Sequence, residues 1–122
     1  MTKAELIYIL QRYYFIAKEI NSNKSQISFY VGNRKEVIKL DEQIKIVFSV
    51  IEDIMSNETP IVVKIMTLWI KYRHSDEYII MKVPLSRSAY YRLKRTIENK
   101  IYQCCILRGL VTYEELLSEK IG

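Results

Sequence analysis

The stretch SDEYIIMKVPLSRSAYYRLKR, residues 75–95, decides how this chain is predicted to fold. It predicts two helices joined by a tight corner, the first running from about Ser75 to Lys82. Pro84 has no backbone N–H to donate and biases Val83 away from helical geometry, so the first helix must end there. The pattern indicates a short helix, a sharp turn and a second helix.

The second helix is predicted from its capping residues. Ser86 stands where an N-cap belongs, with its hydroxyl free to accept a hydrogen bond from the backbone N–H of Ser88 or Ala89. No glycine or proline follows until Gly109, which is a natural C-cap. We therefore expect a helix over about 86–108.

The faces of this second helix differ in chemistry. An apolar stripe recurs every four residues and consists of Ala89, Leu93, Ile97 and Ile101. The other side carries Arg87, Ser88, Tyr91, Lys94 and Arg95, with Arg92 at its edge. A basic, hydroxyl-rich helix after a sharp corner is typical of a helix-turn-helix that enters the DNA major groove. The alternative is a solvated amphipathic helix of an ordinary helical protein.

If the helix binds DNA, its side chains divide into two groups. Arg87, Ser88 and Tyr91 are expected to contact base edges, because arginine and serine suit base hydrogen bonds and tyrosine can reach a thymine methyl. The phosphates would be held by Arg92, Lys94 and Arg95.

Composition favours a helical protein with a polyanionic partner. The 122 residues are 49% hydrophobic, which excludes a disordered chain, and only 3 glycines and 2 prolines interrupt it. The net charge is +5, which is moderately basic. Residues 82–100 hold six Lys or Arg against the single acid Glu98, and this clustering is more informative than the total.

Residues Lys3 to about Ser22 are predicted to form one helix. Its apolar seam steps by three and four and consists of Leu6, Leu10, Tyr13, Ala17 and Ile20, widened by Ile9 and Ile16. Two interpretations are open. The seam packs on the rest of the same chain, or it meets the first helix of a second copy in a homodimer.

The middle of the chain predicts a hairpin. Gln26 to Val31 alternates polar and apolar residues, Gly32-Asn33 can turn the chain, and Lys35 to Leu40 can return as a second strand. The alternative is an irregular segment with the next helix beginning as early as Lys35.

Further helices are predicted on both sides of the corner. Asp41 can cap a helix that runs to about Ser56. Thr59 and Pro60 can begin another, ending near Arg73, as a buried scaffold helix with Trp69 in the core. A capping box formed by Thr112 and Glu115 predicts a last short helix through Leu117. The fold class is therefore mainly α, with a C-terminal helix-turn-helix over 57–122 and a helical and hairpin region over 1–56.

Enzyme chemistry is not expected. The chain has no glycine-rich phosphate loop and no metal-ligand spacing, so no cofactor or metal is predicted. Cys104 and Cys105 are adjacent and make no ordinary disulfide, which favours a reducing cytoplasm. His74 has no partner by spacing. No signal peptide and no membrane-length apolar run is present, so no membrane association is expected.

The segment from about Val62 to Ile101 resembles the C-terminal half of small phage regulators of the ArpU and RinA type. It is also similar in plan to the promoter-binding region of sigma factors, region 4. The resemblance rests on a helix ending in KYRHSD, an acidic and apolar first helix, and then LSRSAYYRLKR. The sequence departs from the pattern at residues 78–81, which are bulky where such helices often carry alanine or glycine.

This resemblance implies binding to phage or prophage promoter DNA and activation of late genes in a bacterial host. The residues that carry over as DNA contacts are Ser86, Arg87, Ser88, Tyr91, Arg92, Lys94 and Arg95. The first hypothesis is therefore a dimeric, sequence-specific transcription regulator that binds double-stranded DNA and acts with RNA polymerase. The second is a helical protein-interaction module or a DNA-packaging module like a terminase small subunit.

Overall fold

A computed structural model describes residues 1–111 of the chain and confirms a mainly helical fold with a small antiparallel hairpin in the middle. The helices are α1 (Lys3–Gln11), α2 (Tyr13–Ala17), α3 (Glu42–Asn57), α4 (Pro60–Met66), α5 (Asp76–Lys82) and α6 (Arg87–Leu107). The strands are β1 (Gln26–Val31) and β2 (Arg34–Lys39), and a π-helical turn, Thr67–Lys71, continues α4. The helix predicted to begin near Thr112 lies outside the described residues.

Helix starts agree with the predicted N-caps. The side chains of Asp41, Ser75 and Ser86 each accept a hydrogen bond from the backbone N–H three residues later, over 3.1–3.2 Å. Each such cap is worth about 1 kcal/mol. Thr59 precedes Pro60 as predicted, but its side chain makes no capping hydrogen bond.

The end of α6 also follows the prediction. Gly109 adopts a φ of +74°, a conformation that favours glycine. Its N–H donates to Ile106 over 3.0 Å and the N–H of Leu110 donates to Cys105 over 2.9 Å, which is the Schellman arrangement. The turn brings Leu110 and Val111 back into the core.

The first predicted helix is broken. The chain leaves helical geometry at Arg12, where φ is −111°, so α1 and α2 are separate, and α2 ends at Ala17 rather than near Ser22. The break accompanies contacts with the hairpin that sequence periodicity does not show. The Arg12 guanidinium binds Glu36 of β2, and the Phe15 ring stacks on Phe29 of β1 at 4.5 Å.

The apolar seam of the first two helices is covered by the chain itself. Leu6, Tyr13 and Ile16 are 0–2% exposed and belong to the hydrophobic core. The same core includes Val47 of α3 and Ile101 of α6. Among residues 1–111, the two predicted regions therefore share one core. Most of the seam packs within the chain, whereas Ala17 is exposed and Ile20 is half-buried.

The hairpin packs on α1 with one face only. Its two strands pair through Ile27 and Ile38, which are buried, and Gly32 turns the chain at a φ of +63°, as two-residue hairpin turns require. Glu36 receives hydrogen bonds from Arg12 and from the Tyr8 hydroxyl. These contacts provide the support that an isolated hairpin lacks.

The scaffold helix before the corner is less regular than predicted. Its α-helical part ends at Met66 and is followed by the π-helical turn. Arg73 then adopts a φ of +57°, which is uncommon for a residue other than glycine. Trp69 is half-buried rather than fully enclosed, and its ring faces Lys94 of α6.

Candidate nucleic-acid interface

A four-residue corner connects α5 to α6. Val83 is extended and 7% exposed, and Ser86 caps the next helix. A turn of this length between two helices is that of a helix-turn-helix unit. The π-helical turn contacts α5, and α4 contacts α6, so both helices of the unit rest on the same support.

The buried side of α6 is rotated from the predicted apolar stripe. Tyr90, Ile97, Ile101 and Cys105 are buried, whereas Ala89 and Leu93 of the predicted stripe are only half-buried. Each residue advances about 100° around an α-helix, so inclusion of Tyr90 turns the buried side by roughly half a residue step. The prediction followed aliphatic residues, and the fold instead buries the tyrosine ring.

The rotation sets which side chains point outward. The centre of the exposed side, called here the outer face of α6, consists of Ser88, Arg92, Arg95 and Asn99. Arg92 was expected at the edge but lies at the centre of this face. Tyr91 is exposed beside it. Arg87 is exposed on the side of α6 that faces α5, seven residues before Lys94, and the exposed Ser86 uses its hydroxyl as the N-cap.

Asn99 was not among the predicted contact residues. Its spacing of 11 residues from Ser88 places it on the same side of the helix, so the sequence contained the signal. Asparagine can bind adenine through two hydrogen bonds in the major groove.

Two guanidinium groups on the outer face are unpaired within residues 1–111. Neither Arg92 nor Arg95 has an acidic or hydrogen-bonding side-chain partner in that part of the chain. No contact with a described residue compensates their charges, so as far as residues 1–111 are concerned both are available to an anion.

Arg87 is exposed but not unpaired. Its two terminal nitrogens bind the two carboxylate oxygens of Glu77 in α5, and the two side chains are 59% and 65% exposed. The hydrogen bonds from Arg87 lower the pKa of Glu77, and those to Glu77 raise the pKa of Arg87. The pair links the first turn of α5 to the first turn of α6.

Lys94 does not lie on the outer face, which corrects the predicted placement. Its ammonium donates to Asp76 of α5 over 2.7 Å and lies 4.9 Å from the centre of the Trp69 ring. Only 17% of its side chain is exposed. The same carboxylate accepts a hydrogen bond from the Tyr90 hydroxyl over 2.6 Å.

This network of Asp76, Tyr90 and Lys94 joins α5 and α6 in a half-buried position. Burial by itself would raise the pKa of Asp76, but the hydrogen bonds from Lys94 and Tyr90 outweigh it and lower that pKa. Burial, followed by the hydrogen bond to Asp76, raises the pKa of Tyr90. At neutral pH the group is therefore an ion pair with a neutral phenol, which fixes the two helices against each other.

Other chemistry is sparse in this region. Burial raises the pKa of Cys105 to about 11, so its thiol is not a reactive thiolate at neutral pH. His74 stacks on Tyr78 at 4.0 Å, at the beginning of α5. Residues 1–111 hold no cluster of three or more His, Cys, Asp or Glu suited to a metal ion. Within the same residues, no helix has both the length and the apolar character of a membrane span.

No protein-family model, curated protein or solved structure matches this chain significantly.

Proposed function

We propose that this chain is a sequence-specific DNA-binding transcription regulator, with α6 as the helix that enters the major groove. The observation that supports this proposal is the outer face of α6, which presents Arg92 and Arg95 without partners among the described residues. This face begins directly after a helix-turn-helix corner, where recognition helices contact base edges.

The placement of the side chains suggests their roles. Ser88 and Arg92 lie on the outer face in the first two turns of α6 and are suited to base edges, with Asn99 farther along. Arg95 is suited to a phosphate. Tyr91 lies beside this face. Arg87 lies on the side towards α5 and reaches DNA if it exchanges Glu77 for a phosphate or a guanine.

Lys94 is a supporting residue in this proposal. Its ammonium lies between Asp76 and Trp69, so it holds α6 on α5 and on the π-helical turn. A direct contact between Lys94 and a phosphate would require this ion pair to open.

The biological setting is part of the proposal and rests on the resemblance to phage regulators. Phage or prophage late promoters would be the targets, in the cytoplasm of a bacterial host and with RNA polymerase as a partner. A homodimer would bind two half-sites of one operator. Because the apolar seam of α1 and α2 is buried, such a dimer would use another surface of the first helix.

The alternative is a protein-interaction or DNA-packaging module. Met81 on α5 is 81% exposed and Leu107 at the end of α6 is 85% exposed. Single exposed apolar residues are common on protein surfaces, so these two favour a protein partner only weakly.

Fluorescence anisotropy with fragments of promoter DNA and random duplexes separates the two functions. The regulator binds a subset of fragments at least 10-fold more tightly than random DNA, with an affinity that falls steeply with salt. Binding of all duplexes alike would favour packaging, and no binding at low salt would favour the interaction module.

A double variant, Arg92→Ala with Arg95→Ala, tests the assigned face. We expect its affinity to fall at least 10-fold and the salt slope to decrease by up to about two. Lys64→Ala, which removes an exposed lysine on α4, is the matched control and should leave the affinity unchanged. Equal losses in both variants would contradict the assignment of α6.

A further inference from the structure

A cleft of about 930 Å³ lies on a part of the molecule that the candidate DNA interface does not include. It is bounded by α2 and the turn that follows it, by α3, and by the end of the π-helical turn with Tyr72. None of the described residues that line it belongs to α6. Its volume is within the range of small-molecule sites in proteins.

The floor of the cleft is aromatic and rigid. The rings of Tyr13 and Phe48 stack at 4.1 Å with an angle of 9° between their planes, and both residues are buried. The Tyr13 hydroxyl donates to Glu52 over 3.0 Å, which fixes the ring. At 2% and 8% exposure these two rings support the cleft from below and leave the contact with a ligand to the more exposed residues of its walls.

The walls carry two more aromatic rings, and both reach solvent. Tyr14 is 38% exposed and Tyr72 is 59% exposed, and both line the cleft. Aromatic side chains are suited to stacking on a planar base, since every base has a π-face.

The charge of the lining is positive. Lys18, Lys45 and Lys71 face a single acid among the described lining residues, Glu52. Lys71 lies 3.1 Å from Glu52 and compensates its charge. Lys18 and Lys45 remain. Among residues 1–111, Lys18 contacts only the Tyr14 ring, at 4.2 Å, and Lys45 meets the exposed Glu42 at 3.8 Å. An exposed pair of that length is weak and competes poorly with a phosphate.

Polar groups complete the site. Asn21 and Asn23 line the cleft, and their side-chain amides have no hydrogen-bond partner among residues 1–111. An amide offers both a donor and an acceptor, which suits the edge of a nucleobase.

We propose that this cleft binds a small anionic aromatic ligand of the nucleotide class, with the base among the tyrosines and the phosphate at Lys18 and Lys45. The accessible rings of Tyr14 and Tyr72, the unpaired amides and two excess lysines together match a base and a phosphate. The inference does not rest on DNA binding by α6, because the two sites share no described residue.

The experiment measures binding of AMP, GMP, CMP and UMP to the full chain by isothermal titration calorimetry, with inorganic phosphate and adenosine as partial probes. We expect saturable binding of at least one nucleotide, at least 10-fold tighter than either partial probe. No saturable binding of any nucleotide up to about 10 mM would overturn the proposal, as would phosphate binding as tightly as the nucleotides.

A single-stranded tetranucleotide forms a second arm of the same experiment. If only this oligonucleotide binds, the proposal of a small nucleotide ligand is overturned, and loss of that binding in the lysine variant described next would assign the cleft to a nucleic-acid strand instead.

Variants place the ligand in the cleft. The double variant Lys18→Ala with Lys45→Ala should weaken nucleotide binding about 10-fold, and Tyr72→Ala should weaken it at least 5-fold. Lys64→Ala should leave it unchanged. Nucleotide binding that is equally tight in all three variants would overturn the assignment to this cleft. Duplex-DNA binding is measured on the same cleft variants and should be normal, so that a failure of this proposal can be told apart from a failure of DNA binding by α6.

Discussion

Two arginine–glutamate pairs connect distant parts of this chain, and they differ in their surroundings. Arg12 of the first segment binds Glu36 in the hairpin, with side chains 17% and 13% exposed. Arg87 of α6 binds Glu77 in α5, with side chains 59% and 65% exposed. The same two functional groups therefore pair in a half-buried position and in a solvent-exposed one.

The surroundings determine what each pair can do. The Arg12 guanidinium also lies 3.7 Å from the centre of the Tyr8 ring, and the Tyr8 hydroxyl donates to Glu36 over 2.7 Å. This pair holds the first two helices against the hairpin. The Arg87–Glu77 pair is screened by salt and exchanges readily with water, so it adds little stability and leaves Arg87 available to another anion.

The largest expected effect compares the two arginines directly. Arg12→Met should lower the melting temperature by about 5–10 °C, because Glu36 loses its charged partner in a half-buried place. Arg87→Met should change it by less than about 2 °C, because the exposed pair contributes little. Thermal unfolding followed by circular dichroism measures both. Similar decreases in melting temperature for the two variants would show that burial does not determine how much each pair contributes to stability.

A second, smaller effect separates the two cations of α6 that were predicted together. Lys94→Met should lower the melting temperature by about 3–5 °C, because Asp76 keeps only its hydrogen bond from Tyr90. Arg95→Met should leave the melting temperature unchanged and reduce the salt slope of DNA binding by about one. Thermal melts and anisotropy titrations at several salt concentrations measure these outcomes. If Lys94→Met instead reduced the salt slope and left the melting temperature unchanged, Lys94 would be the phosphate ligand.

The smallest expected effect concerns pH. Hydrogen bonds from Arg12 and Tyr8 lower the pKa of Glu36 from 4.5 to about 2. A carboxyl group whose pKa is lowered by folding stabilises the fold above pH 4.5, and this contribution is lost as the pH falls towards 2. Between pH 5 and 3, the wild-type chain should therefore lose stability faster than Glu36→Gln.

The exposed pair provides the control for this pH dependence. The pKa of Glu77 is also lowered, by Arg87, but salt screens this pair strongly. In 0.5 M salt, Glu77→Gln should follow the wild-type urea-unfolding midpoints from pH 5 to 3. If the unfolding midpoint of Glu77→Gln depended less on pH than that of Glu36→Gln, the exposed pair would be the larger source of the pH dependence of stability.

The sequence was sufficient wherever structure depends on neighbouring residues. The caps at Asp41, Ser75 and Ser86, the break at Pro84 and the turn at Gly109 follow from backbone hydrogen bonding within a few residues. The hairpin alternation was equally local. These features gave the fold class and the position of the helix-turn-helix corner.

The sequence was insufficient where a side chain is fixed by a distant partner. Arg12 ends α1 beside Glu36, which lies 24 residues away. Tyr90 is buried with its hydroxyl on Asp76, and Lys94 follows it into the same half-buried network. An aromatic or charged residue at the edge of an apolar stripe has no preferred side until its partner is known, so the outer face of α6 was predicted with a rotational error.

The π-helical turn has a consequence at the level of the gene. A π-helical turn holds about one residue more than the α-helical turn it replaces, so removal of one codon within Thr67–Lys71 would restore an ordinary helix. Because the extra residue is taken up within the π-helical turn, side chains before and after it would keep nearly the same orientation. Lys71 would stay near Glu52, and Arg73 near the Phe15 ring. A deletion of three nucleotides should thus be tolerated better here than within α6, where the loss of one residue would rotate all later side chains by about 100° relative to earlier ones.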